Sequence, residues 1–171
     1  MPAPDVDAAQ IVRILHKHHV QFVVVGGFAV ELWGVAVQPT ADVDITPERS
    51  RENLARLAAA LNELDGELRY GDETVPIPGG LTGEKIHDML VLNLATSAGP
   101  LDLTVLPAGT EGYVDLVRNA SDIEYRDVVV PTADLADVAR SKEAAGRPKD
   151  IRTLPAIRAH LERSRRSDQD A

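Results

Sequence analysis

The stretch Phe22–Pro47, which reads FVVVGGFAVELWGVAVQPTADVDITP, is the most informative part of this chain. An apolar run ends at a glycine pair, Gly26 and Gly27, and a later apolar run contains two aspartates, Asp42 and Asp44. Aspartate is depleted in strands, because its short side chain competes with the backbone for hydrogen bonds. Two aspartates separated by one residue therefore need an explanation other than packing.

Alternation along a strand supplies the first prediction. Successive side chains of a strand point to opposite faces, so Asp42 and Asp44 are predicted to share one face while Val43 and Ile45 point into the core. Asp102 stands between two leucines in GPLDLTVLP, so it is predicted to project from a further strand in the same way.

Three carboxylates on neighbouring strands suit a metal site. Carboxylates held close together repel each other, and one of them gains a proton unless a cation lies between them. Magnesium binds hard oxygen ligands, typically one or two carboxylates together with substrate phosphates, and paired metals clamp the oxygens of an in-line phosphoryl displacement. The alternative is that these are ordinary solvent-facing aspartates on edge strands.

The glycine pair suggests a phosphate site beside the aspartates. Gly26 and Gly27 end a strand and open a helix, where free backbone N–H groups favour an anion and the missing Cβ atoms allow close approach. The alternative is a tight strand-to-helix turn with no ligand.

Composition restricts the class of protein. The chain has 171 residues, 44% apolar content and a net charge of −9, and it contains no cysteine, which excludes disulfides, thiolate zinc sites and cysteine nucleophiles. An acidic N-terminus without a secretion-signal pattern and the lack of a long apolar run predict a cytoplasmic protein with no membrane partner. The segment 140–166 carries a net charge of +6, which indicates either a localised anionic partner or solvated helix faces.

The periodicity predicts an α+β fold, in which a small mixed sheet is flanked by helices and followed by C-terminal helices. Helices are predicted over residues 7–18, 28–34, 51–64, 111–118, 133–145 and 151–163, and strands over 21–25, 42–46 and 123–131, with two more around a turn at 97–100. Residues 65–85, rich in glycine, proline and acids, are predicted to form a mobile loop.

The motifs VVVGGFAVELWG and TADVDIT resemble the glycine–DxD signature of the nucleotidyltransferase superfamily with the polymerase-β-like core. The closest likeness is to the AbiEii/AbiGii-type nucleotidyltransferase toxins of bacterial toxin–antitoxin systems, because the tail DLADVARSKEAAGRPKDIRTL also resembles theirs. The resemblance implies a nucleotidyltransferase core over residues 1–131, with a C-terminal helical segment, 132–171, packed on it as part of one structural domain.

The resemblance also implies roles for particular residues. Asp42, Asp44 and Asp102 would bind the metals, two Mg²⁺ ions with Mn²⁺ as an alternative, and Asp102 would help to deprotonate the attacking hydroxyl. The nucleotide would be held by Gly26, Gly27, Thr40 and Lys142. Lys142 would contact the triphosphate and Asp150 would support it, whereas the residues alone also allow a solvated lysine and a helix-capping aspartate.

The function implied by this resemblance is NTP-dependent transfer of a nucleoside monophosphate to an acceptor hydroxyl, with release of pyrophosphate. The acceptor would be the 3′ end of tRNA, contacted by the basic C-terminal helices, and the protein would be a toxin that blocks translation and is countered by an antitoxin. The alternatives are nucleotidylation of a protein or a small molecule, including an antibiotic, and a non-catalytic binding module.

Overall fold

The computed structural model describes residues 5–171, and within them one mixed sheet of eight strands is combined with seven helices. The helices are Ala8–Lys17 (α1), Gly26–Leu32 (α2), Arg51–Glu63 (α3), Gly83–His87 (α4), Tyr113–Leu116 (α5), Leu135–Ala145 (α6) and Pro148–Gln169 (α7). The strands are Phe22–Val25 (β1), Val43–Pro47 (β2), Glu67–Tyr70 (β3), Glu73–Val75 (β4), Val91–Ala95 (β5), Leu101–Thr104 (β6), Ser121–Tyr125 (β7) and Val128–Thr132 (β8).

The strand order is β4-β3-β5-β6-β2-β1-β8-β7. The pairs β2–β6 and β1–β8 are parallel, whereas the other neighbouring pairs are antiparallel. The predicted fold class, a mixed sheet with flanking helices, is therefore confirmed.

The centre of the sheet is made by the stretch that contains the glycine pair and the aspartates. Val23 and Val24 are fully buried within the continuous apolar run of β1. Val43 and Ile45 of β2 are also fully buried, as their alternation with Asp42 and Asp44 predicts. Helix α2 packs against β2 and α6, so the turn between β1 and α2 is held from two sides.

Two helix starts follow the capping chemistry of the sequence. Asp7 accepts a hydrogen bond from the backbone N–H of Gln10 at the start of α1, and Ser50 accepts one from Asn53 at the start of α3. Burial of the apolar stripe of α1, which includes Ile11 and Leu15, then fixes that helix against α3 and β8.

The prediction of a loop over residues 65–85 is wrong, because this segment contains β3, β4 and α4. The hairpin turns at Gly71, which has a positive φ of 61°. Its second strand is at the edge of the sheet with all three residues exposed, so it carries no apolar alternation that a sequence pattern could detect. The Asn62 side chain fixes the end of the segment through two 2.8 Å hydrogen bonds to the backbone of Leu81.

Other predicted bounds also need correction. The single strand predicted over 123–131 is part of the hairpin β7–β8, which turns at Arg126 with φ 53°, a position where the usual Asn-Gly signal is missing. Asp42 precedes β2 instead of lying within it, and α2 begins at Gly26. Helix α7 begins at Pro148, since proline suits the first helical turn, so Asp150 lies inside that turn.

The division into a core over 1–131 and a packed segment over 132–171 stays a prediction, and the first four residues of the N-terminal segment lie outside the described residues. Over residues 5–171, no helix combines the length and the apolar character needed to cross a membrane.

Candidate active site

The turn between β1 and α2 lies directly against one of the aspartates. Gly26 has a φ of +66°, a conformation that side chains with a Cβ rarely adopt. A Cβ built on Gly26 would lie 2.3 Å from Oδ2 of Asp44, so only glycine permits this approach of backbone to carboxylate.

Asp44 and Asp102 are partners in register on the neighbouring parallel strands β2 and β6. Asp42 lies just before β2, and its Oδ1 accepts a 2.9 Å hydrogen bond from the hydroxyl of Thr40. All three aspartates line one cavity of about 620 Å³. The structure therefore brings together the three carboxylates that the sequence pattern singled out.

The other nucleotide-binding candidates are divided between two places. Gly26 and Lys142 line the same cavity as the aspartates. Thr40 lines a smaller cavity of about 270 Å³ and is held there by a 2.7 Å hydrogen bond from its N–H to Glu31. Gly27 lies close to Thr40, since a Cβ added to this glycine would lie 3.1 Å from the threonine hydroxyl. That hydroxyl in turn bonds to Asp42.

Burial and crowding change the acidity of this cluster. Burial, followed by the negative charges of Asp42 and Asp102, raises the pKa of Asp44 to about 7, and Lys149 and Lys142 oppose the rise only in part. Burial also raises the pKa of Asp102, against the opposing effect of the Arg69 guanidinium. Binding of a further positive charge, either a proton or a cation, is therefore favoured at this cluster.

Arg69, from β3, is a site residue that the sequence analysis missed. Its Nη2 donates a 2.7 Å hydrogen bond to Oδ1 of Asp102, and the guanidinium lines the cavity. Its Nε is buried and has no hydrogen-bond partner within residues 5–171. No sequence signal marked Arg69, because it lies in the segment predicted to be a loop.

Lys142 also lines the cavity and is anchored there by an ion pair. Its Nζ lies 3.1 Å from Oδ1 of Asp150, and the side chains are 11% and 0% exposed respectively. Arg147 adds a 2.6 Å bond from Nε to Oδ2 of Asp150. Lys142 is therefore not a solvated helix residue, and Asp150 serves as an ion-pair partner instead of a cap.

The turn between α6 and α7 produces this arrangement. Gly146 ends α6 in a left-handed conformation with φ 63°, and Pro148 then starts α7, which brings Asp150 back to Lys142. Burial pushes the pKa of Asp150 upward, but the hydrogen bonds from Arg147 and Lys142 outweigh that effect and hold the pKa below its ordinary value.

Lys149 is a second residue that the sequence analysis missed. It lines the cavity, and its charge lowers the pKa values of Asp44 and Asp102. The signal that could have found it is the motif GRPKD, which contains both Lys149 and Asp150.

The donor set of the cluster fits a hard divalent cation, because it consists of carboxylate oxygens on a cavity wall that also needs positive charge. Within residues 5–171, no three acidic or histidine side chains already stand in a metal-holding arrangement. A metal at this cluster would require the carboxylates to move closer together.

Known proteins with similar sequences were found over only part of the chain. The chain is 37% identical over 78 residues to the (S)-ureidoglycine–glyoxylate transaminase of Bacillus subtilis strain 168, a match to 39% of this chain and 18% of that protein. The chain thus spans less than a fifth of that curated relative, and no activity is carried over from it.

Similar solved structures cover nearly the whole chain. The lincosamide antibiotic adenylyltransferase LnuA, with lincomycin bound, superposes with a TM-score of 0.62 at 12% identity, over 91% of this chain and 99% of that one. The antibiotic-resistance factor ANT(2″)-Ia superposes with a TM-score of 0.58 at 14% identity, over 95% and 92% of the two chains. A candidate nucleotidyltransferase from Thermotoga maritima gives a TM-score of 0.51 at 19% identity, over 89% and 94%.

These likenesses show a shared nucleotidyltransferase fold. The sequence itself gives the family: residues 5–159 match the model described as "Nucleotidyltransferase of unknown function (DUF6036)", and the chain belongs to that family of nucleotidyltransferases.

Proposed function

We propose that this protein transfers a nucleoside monophosphate from an NTP to an acceptor hydroxyl in a metal-dependent reaction that releases pyrophosphate. The observation that carries the proposal is the convergence of Asp42, Asp44 and Asp102 on one cavity that Lys142 also lines. Family membership supports the reaction class.

The three aspartates would hold the metal, which we propose to be Mg²⁺, in two copies, with Mn²⁺ as an alternative. When bound, the metal supplies positive charge that stabilises the oxygens of the phosphoryl displacement. The raised pKa of Asp44, about 7, supports this assignment, because a bound cation removes the repulsion among the carboxylates.

The side chains of this protein would bind and orient the two reactants. Gly26 and Gly27 would hold the triphosphate at the turn, and Lys142, kept in place by Asp150, would contact its oxygens. The acceptor oxygen then bonds to the α-phosphorus as the bond to the β-phosphate oxygen breaks and pyrophosphate leaves. Asp102 would help to take the proton of the attacking hydroxyl.

The acceptor that we propose is the 3′ end of tRNA, which would make this protein a cytoplasmic toxin of the AbiEii/AbiGii type with a cognate antitoxin. The support lies in the end of α7, where exposed arginines at 163, 165 and 166 can contact phosphates. Such contacts position an RNA without reading its sequence.

A small molecule is the second candidate acceptor. The cavity of about 620 Å³ falls within the range that holds drug-sized ligands, and two proteins of the same fold, LnuA and ANT(2″)-Ia, are described as an antibiotic adenylyltransferase and an antibiotic-resistance factor.

Inducible expression of the wild type and of Asp42→Ala, followed by sequencing of tRNA 3′ ends, tests the proposal. We expect the wild type to arrest growth and to extend tRNA ends, and Asp42→Ala to do neither. Purified protein with Mg²⁺ and each labelled NTP supplies the second measurement. Unlabelled tRNA with all four nucleotides would reject the tRNA acceptor, and label on lincomycin or tobramycin would favour the small-molecule acceptor.

A further inference from the structure

The ion pair between Arg69 and Asp102 occupies one of the three carboxylates of the site. Arg69 Nη2 lies 2.7 Å from Asp102 Oδ1, with side-chain exposures of 27% and 15%. A charge-assisted hydrogen bond of this length on a half-buried carboxylate is among the stronger polar contacts of a protein. A cation that binds Oδ1 of Asp102 must compete with it.

Arg69 reaches Asp102 from a distant strand. β5 lies between β3 and β6, so the guanidinium crosses the width of a whole strand, about 10 Å between the outer two. Arg69 itself pairs only with Thr74 of the edge strand β4, whereas the preceding residue, Leu68, still pairs with β5. The backbone under Arg69 is thus tied to the exposed hairpin and not to the centre of the sheet.

The ion pair leaves one donor of Arg69 unsatisfied. Its Nε is buried without a hydrogen-bond partner among residues 5–171, and a buried N–H without an acceptor costs about 1–3 kcal/mol. The ion pair therefore gives Asp102 a hydrogen-bond donor but leaves the Nε of Arg69 without an acceptor. An arginine with all of its donors paired would be harder to displace.

From these observations we propose that Arg69 is a positioning residue that blocks Asp102 in the free protein, and that a divalent cation replaces it there. The guanidinium supplies positive charge next to Asp102 in the absence of metal, and metal binding requires the Arg69–Asp102 hydrogen bond to break. This inference rests on the proposed metal-binding role of Asp102.

Calorimetric titration with Mn²⁺ at pH 8, without nucleotide, tests the exchange. Arg69→Ala removes the competitor, so we expect Mn²⁺ to bind about threefold or more tightly than to the wild type. Arg69→Lys keeps a competing charge and should bind Mn²⁺ as the wild type does. Arg56→Ala is the matched control, because it removes an exposed arginine–carboxylate pair, with Glu52, on α3.

A double-mutant cycle separates competition at Asp102 from a general effect of charge. In an Asp102→Asn background the carboxylate is absent, so adding Arg69→Ala should leave the Mn²⁺ affinity unchanged. An equal gain in that background, or an unchanged or weaker affinity in Arg69→Ala alone, would overturn the inference while leaving the proposed function intact. Absence of Mn²⁺ binding in both the wild type and Arg69→Ala would also overturn the inference, and if nucleotide does not restore Mn²⁺ binding in either protein, the proposed function fails as well. Arg69→Gln, with a circular-dichroism check, replaces Arg69→Ala if the latter does not fold.

Discussion

Asp44 and Asp102 face each other in register on adjacent parallel strands, and the backbone of Gly26 presses against Asp44 from the end of the next strand. This relationship places two acids where neither is well hydrated. Their charges repel each other, and Lys149 and Lys142 offset that repulsion only in part. The free site is therefore poised to accept either a proton or a metal ion.

The first prediction concerns pH and stability. The pKa of Asp44 is raised from its ordinary 3.8 to about 7, so the folded protein binds this proton more tightly than the unfolded chain does. The stability from this group is complete below about pH 4 and is lost as pH rises toward 7. Without metal at pH 8, the free energy of unfolding of Asp44→Asn should therefore exceed that of the wild type by about 1 kcal/mol or more, and its melting temperature should be higher. This gain should shrink at pH 5.

Differential scanning calorimetry at the two pH values checks this, with Asp88→Asn, an exposed acid outside the cavity, as the control. Added Mg²⁺ should raise the melting temperature of the wild type more than that of Asp44→Asn, because the amide removes one of the three proposed carboxylate ligands. Equal melting temperatures of the wild type and Asp44→Asn across this pH range would contradict the prediction.

The second prediction concerns the glycine turn. Gly26→Ala adds a Cβ that would lie 2.3 Å from Asp44 Oδ2, in a backbone with φ +66°, so both Asp44 and the turn must move. We expect loss of Mn²⁺ and nucleotide binding together with a destabilisation of about 2 kcal/mol or more.

Gly34→Ala is the matched control for this change. Gly34 has a similar φ of +76°, but a Cβ there meets nothing within 4 Å, so the control carries the backbone strain without the clash. It should cost about 1 kcal/mol and leave metal binding unaffected. Equal loss of Mn²⁺ binding in both variants would show that strain, and not the contact with Asp44, is responsible.

The sequence alone was sufficient to predict some of these site residues but not others. Alternation was enough to predict that Asp42 and Asp44 leave the core face while Val43 and Ile45 enter it, because strand periodicity is local. It also suggested Asp102, but the parallel pairing of β2 with β6 joins segments far apart in the chain, and no local pattern specifies it.

Arg69 and Lys149 could not be predicted in the same way. Arg69 lies on a strand whose four residues are exposed or half-buried, and without an apolar alternation the segment reads as a loop. Lys149 follows Pro148 in the first turn of α7, and only the turn at Gly146 directs it toward the cavity. Lys142 and Asp150 were singled out by a resemblance, since a lysine and an aspartate eight positions apart carry no signal of their own.

The third prediction concerns the anchored lysine. Asp150 is fully buried and holds Lys142 and Arg147, so Asp150→Asn leaves two cations without their carboxylate. We expect a destabilisation of about 3 kcal/mol in chemical denaturation and a raised KM for the NTP, because Lys142 loses its position. Arg147→Gln should lower the free energy of unfolding by less than about 1 kcal/mol, since that side chain is 60% exposed and Lys142 keeps its partner. If the KM for the NTP in Asp150→Asn stays at the wild-type value, Lys142 does not contribute to nucleotide binding and the prediction is wrong.

The fourth prediction concerns the end of α7 and the proposed tRNA acceptor. Residues 162–169 are all exposed, and the arginines at 163, 165 and 166 form no ion pair within the described part of the chain. Replacing all three with glutamine therefore removes charge without disturbing the packing around Leu154 and Ile157. We expect the KM for tRNA to rise while kcat is retained. Each lost phosphate contact should also reduce the slope of log affinity against log salt by about one.

Filter binding of tRNA at several salt concentrations measures that slope, and Arg56→Gln on α3 controls for the loss of surface charge. A small-molecule acceptor leads to a different outcome, because a ligand inside the cavity does not reach the far end of α7. In that case the triple variant would modify its acceptor with wild-type kinetics. An unchanged slope would show that the end of α7 does not contact the RNA, because these three arginines are the charges most free to contact phosphates there.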